Sequence, residues 1–423
     1  VTISATPAGQ DSVDIEVTTQ DQWSTLVSTI FSQGGGRTIF GGALEEFNLL
    51  GLGKQMFAEA SHERHEGTTF TFRYSDPQLL GSRWTTAETF ISGPFVKSVA
   101  AQLIRPFYSL DTKWAGGISA STNDLTLREF DRGQESNRFQ RQTGTFQLFA
   151  NRAIGDRFKK TRLSFSYRFR KRDFSVLPGL TRTIPQDELI HRTALGVRFE
   201  NIAFVEEKQI DRFLKTEDLT LGSITAVTLG RTGVPIPEGV KRFELSVARR
   251  EAHRIFRKQY LFAVLSLQTL FEKDTFVNFR LRYYNKLLPK QTFALNVELD
   301  FSKDSEIETP FILGGDSGLR GFPAREFSGT RRLLINLENR VFTSFNFLTV
   351  AFGGVVFFDL GNVWRASESL DLADLNYSMG VGLRLGYTKS PSSRVGRIDF
   401  GWALNRGGEF GVSIGIDQQF SLN

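Results

Sequence analysis

The 423-residue chain contains no cysteine and only four histidines. Without thiols it can form neither a disulfide framework nor a thiolate metal site. Histidine is the side chain whose ordinary pKa lies nearest neutral pH, so its scarcity leaves few groups for general acid–base catalysis. An outer-membrane phospholipase or protease would need Ser/His or Asp/His pairs on the barrel wall, and four scattered histidines leave this open but give it no support.

Long apolar runs are also missing. No stretch of about 18 or more uninterrupted apolar residues occurs, so a transmembrane helix is not expected. The mean hydropathy is −0.21, but this value does not exclude a membrane. A membrane-spanning strand alternates lipid-facing with lumen-facing residues, and its mean hydropathy therefore resembles that of a soluble protein.

Phenylalanine is the residue in excess. The chain has 40 phenylalanines, and aromatic residues make up 13% of it. Aromatic side chains favour strands, and they form the girdles of outer-membrane barrels. The composition therefore favours an all-β chain and leaves a membrane barrel open.

The net charge of +6 arises from 52 basic and 46 acidic residues, and a basic balance can indicate nucleic-acid binding. Here the arginines occur at every second position of alternating runs, as in Arg168 and Arg170 or Arg280 and Arg282. In hydrocarbon each such charge would cost about 2–4 kcal/mol near the midplane. We therefore predict that they face a wet or protein-filled lumen, and we expect no nucleic-acid partner.

Strict alternation of apolar and polar residues recurs along the chain. Many alternating runs reach ten residues or more, whereas globular strands average about 5–6 residues and tilted membrane strands need about 9–11. The runs predict an antiparallel transmembrane β-barrel over residues 21–423, with about twenty strands. The first would be Trp23–Ser32 and the last Phe410–Phe420. Residues 1–20 form a separate leading segment that contains one strand around Ile15.

A glycine-rich nonapeptide, Gly314–Phe322, separates two of these runs, Thr292–Phe301 and Arg331–Phe342. Glycine lets a backbone take positive φ and approach other chain closely. Arg320 is the one cation of this segment, and a cation fixed on such a loop needs an acidic partner. We predict that the loop folds into the lumen and that Arg320 docks on the barrel wall.

Two motifs resemble catalytic sites but lack the partner residue or the spacing that the chemistry needs. The residues Gly315–Gly318 imitate a serine-protease nucleophile motif, but Ser317 would need a positioned histidine base. His62 and His65 resemble a zinc motif at the wrong spacing, because the helical motif needs histidines at i and i+4. We predict no catalytic residue, no metal site and no cofactor, and we expect that the chain is not an enzyme.

Three passages together resemble the Omp85 superfamily, which includes the BamA and TamA assembly barrels and surface antigens, the two-partner secretion transporters and the patatin-linked type V secretion barrels. The segment Arg320-Gly321-Phe322 resembles the core of that family's sixth extracellular loop. Residues 357–364 are similar to the family strand with an Asp-x-Gly pattern. Residues 45–51, followed by 74–77, resemble the opening of the same barrel. The likeness runs from about Trp23 to Phe420.

The resemblance implies a barrel of sixteen strands, five of them after the loop. It also implies that Arg320 pairs with Asp359 and Glu338 and locks the loop in the lumen. A guanidinium can bridge two carboxylates through its planar fork. The implied loop lock comprises Arg320, Gly321, Phe322, Gly318, Leu319, Glu338, Asp359 and Gly361.

The function implied is insertion or translocation of polypeptides at the outer membrane, through a labile seam between the first and last strands. An unpaired strand edge can template an incoming strand, and strand glycines weaken pairing. The expected partners are outer-membrane lipids and unfolded or passenger polypeptides. The predicted seam residues are Trp23, Leu26, Phe31, Phe410, Gly411, Gly415 and Phe420.

Two alternatives stay open. One is a type V secretion translocator that carries its own upstream passenger, such as a patatin-like lipase, and the other is a passive porin. Residues 1–20 resemble the end of a periplasmic POTRA module and a junction, so we expect POTRA or enzyme domains to have preceded the barrel. The resemblance also leaves a homodimer open.

Overall fold

The structure is a computed structural model, and it describes residues 2–9, 12–18, 24–64, 66–131, 134–179, 184–213, 215–233, 242–271, 274–303, 311–387, 395–405 and 410–422. Within these residues, twenty antiparallel strands pair side by side into one closed barrel. No helix among them has the length and apolar character needed to cross a membrane. The prediction of an all-β barrel is confirmed.

The leading segment forms a sheet of its own. Strands β1 (Thr2–Pro7) and β2 (Val13–Thr18) pair from Thr2 opposite Thr18 to Pro7 opposite Val13. Their sheet is separate from the barrel. The predicted division of the chain at residues 20 and 21, with a POTRA-like origin for the first part, stays a prediction.

Fifteen barrel strands precede the glycine loop and five follow it. Two short paired strands flank the glycine loop within the connection from the fifteenth to the sixteenth barrel strand. Two single 3-10 turns lie at Leu79–Gly81 and Leu372–Asp374. The strands before the loop are β3 (Thr25–Gly34), β4 (Arg37–Leu49), β5 (Lys54–Glu63), β6 (Gly67–Asp76), β7 (Thr85–Gly93), β8 (Val96–Arg105), β9 (Trp114–Asp131), β10 (Gln134–Gly155), β11 (Lys159–Val176), β12 (Glu188–Lys208), β13 (Thr216–Gly233), β14 (Arg242–Phe256), β15 (Gln259–Leu270), β16 (Asp274–Asn285) and β17 (Gln291–Lys303). The loop strands are β18 (Phe311–Leu313) and β19 (Phe327–Gly329), and the strands after the loop are β20 (Arg331–Phe347), β21 (Val350–Trp364), β22 (Asn376–Tyr387), β23 (Val395–Ala403) and β24 (Phe410–Ile416).

The strand number of sixteen, taken from the family resemblance, is wrong. The structure has twenty, and the five strands after the loop agree with the resemblance, so the four extra strands precede the loop. Each early run of alternation is a full member of the wall. For example, β12 pairs with β13 along their length, from His191 opposite Gly233 to Lys208 opposite Thr216.

The alternation sorts apolar side chains outward and polar side chains inward. On β22, Val381 and Leu383 are 49% and 46% exposed on the outer face. Between them and beyond them on the inner face lie Gly382 and Arg384, and the Arg384 side chain is buried. The barrel therefore has an apolar exterior and a charged interior, which is the arrangement of a membrane-spanning barrel.

The junction between the last and first strands is the weakest in the wall. In the described part of the chain, strand β24 pairs with β3 through one residue pair, Ile414 opposite Gln33. By contrast, seven residue pairs join β23 to β24 and ten join β3 to β4. Because β24 ends at Ile416, residues 25–30 of β3 have no partner on this edge among the residues that the structure describes. We call this junction the seam.

The chain does not continue β24 to Phe420, as the sequence predicted. After Ile416 the backbone takes a left-handed conformation at Asp417, with φ of 70°, and residues 418–422 turn into the lumen. Phe420 is buried there among apolar side chains that include Ile210, Tyr260 and Tyr284. Phe420 is therefore not a seam residue. We call residues 418–422 the C-terminal tail.

Candidate functional site at the inward loop and the seam

The glycine loop, residues 314–324, is a compact turn held by its own backbone, and we also call it the inward loop. The N–H of Leu319 donates to the Gly314 carbonyl at 3.0 Å, and the N–H of Gly315 donates to the Pro323 carbonyl at 2.9 Å. Gly321 has φ of 91°, a conformation that favours glycine. A Cβ at Gly321 would also lie 3.0 Å from the backbone nitrogen of Ala403. Only glycine lets the loop approach the wall this closely.

Arg320 projects from this turn into a fully buried site. Its Nε and Nη2 donate to the two carboxylate oxygens of Asp359, both at 2.8 Å. Its Nη1 donates to Glu338 at 2.8 Å and to Asp399 at 3.2 Å. The guanidinium carbon lies 3.5 Å from the centroid of the Phe357 ring. Such a bidentate pair fixes orientation as well as charge.

Further arginines balance the carboxylates around Arg320, among them Arg397, whose Nη1 lies 3.5 Å from Asp399. Arg340 donates from Nε to Glu338 at 2.8 Å, and Arg384 donates from Nη1 to Asp399 at 2.5 Å. Burial alone would lower the pKa of Arg320, but the nearby carboxylates outweigh burial and raise it further. The guanidinium therefore stays charged. The lumenal ion cluster consists of Arg320, Arg340, Arg384, Glu338, Asp359 and Asp399.

The other predicted loop residues pack beside this cluster. Leu319 and Phe322 are buried in one apolar cluster with Leu334, and the Phe322 ring packs edge-on against Phe327 at 5.8 Å between centroids. A Cβ at Gly318 would lie 2.6 Å from the Leu334 side chain. A Cβ at Gly361 would lie 2.7 Å from the Leu333 carbonyl oxygen and 2.9 Å from the side chain of Leu313.

Sequence reasoning missed several members of the site. Asn336 donates to Asp359 at 2.8 Å and to the Gly318 carbonyl at 2.8 Å, so it ties the loop backbone to the wall. Asp399 and the Phe357 ring contact Arg320 directly. In the sequence, only their lumen-facing positions on the strands pointed to these residues. In the structure, Asn336 lies directly opposite Asp359.

The loop contacts both sides of the seam. On the β24 side, a Cβ at Gly411 would lie 3.1 Å from the Gly321 Cα. On the β3 side, the N–H of Ala324 donates to the Gly35 carbonyl at 2.8 Å. Arg37, at the start of β4, pairs with Asp316 of the loop at 3.0 Å. The loop thus spans the junction at which the two strands share one residue pair.

The remaining predicted seam residues lie on β3 and β24. Leu26 is half-buried, and Phe31 is exposed on the outer face. Phe410 is exposed and stacks on Phe400 with 6.4 Å between ring centroids. A Cβ at Gly415 would lie 3.0 Å from Nε of Arg397. Trp23 lies outside the described residues.

The catalytic look-alikes have local partners. The Ser317 hydroxyl donates to the Gly314 carbonyl at 3.4 Å, and His62 Nδ1 lies 2.9 Å from the Thr68 hydroxyl. His65 lies outside the described residues. In the described part of the chain, no group of three or more His, Cys, Asp or Glu side chains is arranged to hold a metal ion. The absence of an enzymatic activity and of a cofactor stays a prediction.

Comparison with protein families finds a match for the second part of the barrel. Residues 260–421 match the Omp85 superfamily domain. This stretch contains the inward loop, the ion cluster and the five strands that follow the loop. Residues 260–421 therefore form an Omp85 superfamily domain, and the resemblance of the motifs within this stretch is confirmed. Among curated proteins, none matches the chain.

Several solved structures are similar to the chain at low identity. BamA from Haemophilus ducreyi lacking POTRA domains 1–3 has 14% identity and a TM-score of 0.47, with 99% of this chain and 75% of that chain covered. CdiB from Acinetobacter baumannii has 12% identity and a TM-score of 0.46, with 98% and 65% covered. CdiB from Escherichia coli has 13% identity and a TM-score of 0.45, with 99% and 67% covered.

Proposed function

We propose that this barrel sits in the outer membrane and passes polypeptides into or across it at the seam between β24 and β3. The observation that carries the proposal is that, among the residues the structure describes, one residue pair, Ile414 opposite Gln33, joins these strands. Backbone hydrogen bonds hold a barrel wall together. The junction with the fewest of them is the place where the wall opens at least cost.

The outer surface supports a lipid environment. Large apolar side chains stand exposed on strands around the barrel, among them Phe90, Leu195, Leu229 and Val381. Soluble monomers rarely expose contiguous apolar patches larger than a few hundred Å². In hydrocarbon, by contrast, such side chains are the stable choice.

The open edge of β3 supports a role in handling extended chains. Residues 25–30 present backbone donors and acceptors without a partner on that edge in the described part of the chain. An incoming segment can pair with such an edge by strand addition, and it gains main-chain hydrogen bonds whatever its side chains are. This mode suits clients of many sequences and needs neither a nucleotide nor a cofactor.

In this proposal, the inward loop holds the two strands of the seam together. Arg320 anchors it to β20, β21 and β23, while Gly35 and Arg37 hold it to the first hairpin. When the inward loop is released from these contacts, the two seam strands are free to separate. The predicted loop lock is thus part of the mechanism, and its role is positional and not chemical.

A disulfide across the seam tests the proposal, because the chain contains no cysteine of its own. The pair Gln33→Cys and Ile414→Cys places two cysteines on directly opposite residues, whose Cα atoms in antiparallel sheets are about 4.5–5.5 Å apart. In liposomes, oxidation should stop insertion of an unfolded outer-membrane polypeptide, and reduction should restore it. The matched control is Val381→Cys with Phe400→Cys, which links two opposite residues within the ordinary β22–β23 junction.

The outcomes separate the candidate functions. Insertion that continues at the same rate with the seam disulfide formed contradicts the proposal. Passage of a tethered upstream segment that continues under the same disulfide favours the type V translocator, since that route runs through the lumen. A large, steady conductance with the loop in place favours the passive porin.

A further inference from the structure

One turn at the barrel end opposite the glycine loop lies inside the lumen. Between β12 and β13, Ile210 is fully buried and Phe213 is 3% exposed. The Phe213 ring packs edge-on against Phe342 of β20, with 5.1 Å between centroids. Other turns at the same end lie at the rim, where Leu50 is 87% and Leu348 is 86% exposed. We call residues 209–213 the inward turn.

The inward turn is shaped from within by Glu217. The Glu217 carboxylate accepts hydrogen bonds from the backbone N–H groups of Ile210, Asp211 and Arg212, at 2.9 to 3.2 Å. These contacts are local in sequence and do not involve the C-terminal tail. The turn therefore has its own support and offers a preformed surface to the lumen.

Asp211 joins this turn to the C-terminal tail. One carboxylate oxygen accepts the backbone N–H of Leu422 at 2.6 Å, and the other accepts Nη1 of Arg340 at 3.2 Å. The Asp211 carbonyl accepts the side-chain amide of Gln418 at 3.4 Å. Burial raises the pKa of Asp211, and the Arg340 charge opposes that rise.

The wall also holds the tail through two members of the lumenal ion cluster. Arg340 donates from Nη2 to the Phe420 carbonyl at 2.9 Å. Arg384 donates from Nε to the Gln418 side chain at 2.9 Å. The tail thus has polar contacts on two sides and buries its Phe420 ring in the apolar cluster of the lumen.

The same two arginines share carboxylates with Arg320. Glu338 accepts Arg340 on one oxygen and Arg320 on the other, each at 2.8 Å. Asp399 accepts Arg384 at 2.5 Å and Arg320 at 3.2 Å. The loop from one end of the barrel and the tail from the other end therefore meet on one set of buried charges.

We propose that the inward turn is a latch that keeps the C-terminal tail in the lumen, and that this latch is coupled to the inward loop through Glu338 and Asp399. Without Arg320, these two carboxylates lose a cation in a dry site. Arg340 and Arg384 are then drawn toward them and hold the tail less firmly. The coupling is present in the barrel without a bound client, and it does not depend on whether the seam accepts one.

Labelling of a single cysteine tests the latch in the full chain. Ser421→Cys puts a thiol on the tail, and Leu288→Cys puts a reference thiol on an exposed turn at the same end of the barrel. A membrane-impermeant maleimide should label position 421 much more slowly than position 288. Adding Asp211→Asn should speed labelling at 421 by roughly tenfold or more, because a lost hydrogen bond to a charged group shifts a local opening equilibrium by at least that factor.

Matched variants make the latch test specific. Asp218→Asn removes a nearby, exposed carboxylate of β13 and should leave labelling at 421 unchanged. Phe420→Ala, a change on the tail side, should speed labelling as Asp211→Asn does, and heat-resistant mobility on gels verifies that each variant is folded. Equal labelling at positions 421 and 288 in the unaltered background overturns the latch, as does an Asp211→Asn variant that is folded and labels slowly.

The coupling is tested by Arg320→Ala in the Ser421→Cys chain. Labelling at 421 should accelerate although the altered residue lies on the loop of the opposite end. Arg37→Ala removes another ion pair of that loop, to Asp316, and should have little effect. Equal acceleration by Arg320→Ala and Arg37→Ala overturns the route through the shared carboxylates, and no acceleration by Arg320→Ala overturns the coupling.

Discussion

Two regions of the barrel use arginine–carboxylate pairs with different amounts of water. At the inward loop, the Arg320 and Asp359 side chains are 1% and 0% exposed. At the first hairpin, the Arg37 and Glu63 side chains are 30% and 16% exposed. The contact chemistry is the same, and the hydrogen-bond distances are similar, at 2.8 Å and 2.6 Å. The two pairs therefore differ mainly in how far they are buried.

Burial raises the free-energy cost of breaking an ion pair more than it raises the strength of the intact pair. Removing one partner of a buried pair costs about 3–5 kcal/mol, because a charge is left uncompensated in a dry site. An exposed pair contributes about 0.2–1 kcal/mol, because water replaces the lost partner. Substitutions in the two regions should therefore differ several-fold in their effect on stability.

The largest effect is expected from Arg320→Ala. It leaves the buried Asp359 without an arginine partner and takes one cation from Glu338 and from Asp399, and we expect a loss of about 3–5 kcal/mol in the free energy of unfolding. The temperature at which the folded band disappears on a semi-native gel measures it. Arg320→Lys, which keeps the charge but not the bidentate fork, should recover part of the loss. If the transition temperature of Arg320→Ala equals that of the unaltered chain, the buried contacts of Arg320 do not hold the loop in place.

A smaller effect is expected from Asp359→Asn. The amide keeps the shape of the carboxylate, and Arg320 retains Glu338 and Asp399. We expect a loss of about 1.5–3 kcal/mol, the range for a hydrogen bond to a charged group. The same gel transition measures the loss. A loss as large as that of Arg320→Ala would mean that the other two carboxylates contribute nothing.

Arg37→Ala should have a still smaller effect on stability. Its side chain is in contact with water, so loss of the Glu63 and Asp316 pairs should cost at most about 1 kcal/mol. Raising the salt concentration in the unaltered chain should weaken these pairs and leave the Arg320 site nearly unchanged, because buried pairs are screened less. A loss comparable to that of Arg320→Ala would remove the distinction between the two regions.

The smallest effect is expected from Arg157→Ala. Arg157 pairs with Asp111 at 2.6 Å between two exposed turns, with side chains 58% and 60% exposed. We expect no measurable shift in the gel transition, since such a pair is fully hydrated when broken. This variant serves as the baseline for the other three, and any clear destabilisation by it would contradict the rule that burial sets the effect.

The strand pattern of this fold could be predicted from the sequence because each strand has two unlike faces. Alternation alone indicated about twenty strands, and the structure has that number. The resemblance implied sixteen and was wrong in the part of the chain before the loop. A family motif identifies the loop and its neighbours, but the number of strands depends on every alternating run, including those from β9 to β14.

Site residues that belong to a recognisable motif could be predicted from the sequence. Site residues that are brought together only by the pairing of strands were missed. Arg320, Glu338 and Asp359 were identified by the resemblance. Asp399 and Asn336 could not be chosen from among the many polar residues on the inner face, because cross-strand register decides which of them meet. The inward turn has no periodicity that could indicate its position.

The end of the chain was predicted incorrectly for a local reason. Residues 410–420 alternate well enough to suggest a single strand, and Phe420 fits that alternation. The strand stops because Asp417 adopts positive φ, a conformation that Asp tolerates better than most residues other than Gly and Asn. Buried hydrogen bonds to the tail then compensate for the pairing that β24 gives up.

The most direct test of the central claim is the yield of the seam disulfide with and without Arg320. The pair Gln33→Cys and Ile414→Cys should oxidise readily in the otherwise unaltered chain, because the inward loop holds β24 and β3 in register. Adding Arg320→Ala should lower that yield sharply, while the yield of the Val381→Cys and Phe400→Cys control should stay constant. An equal seam yield in both backgrounds would contradict the claim that the buried Arg320 contacts keep the seam closed.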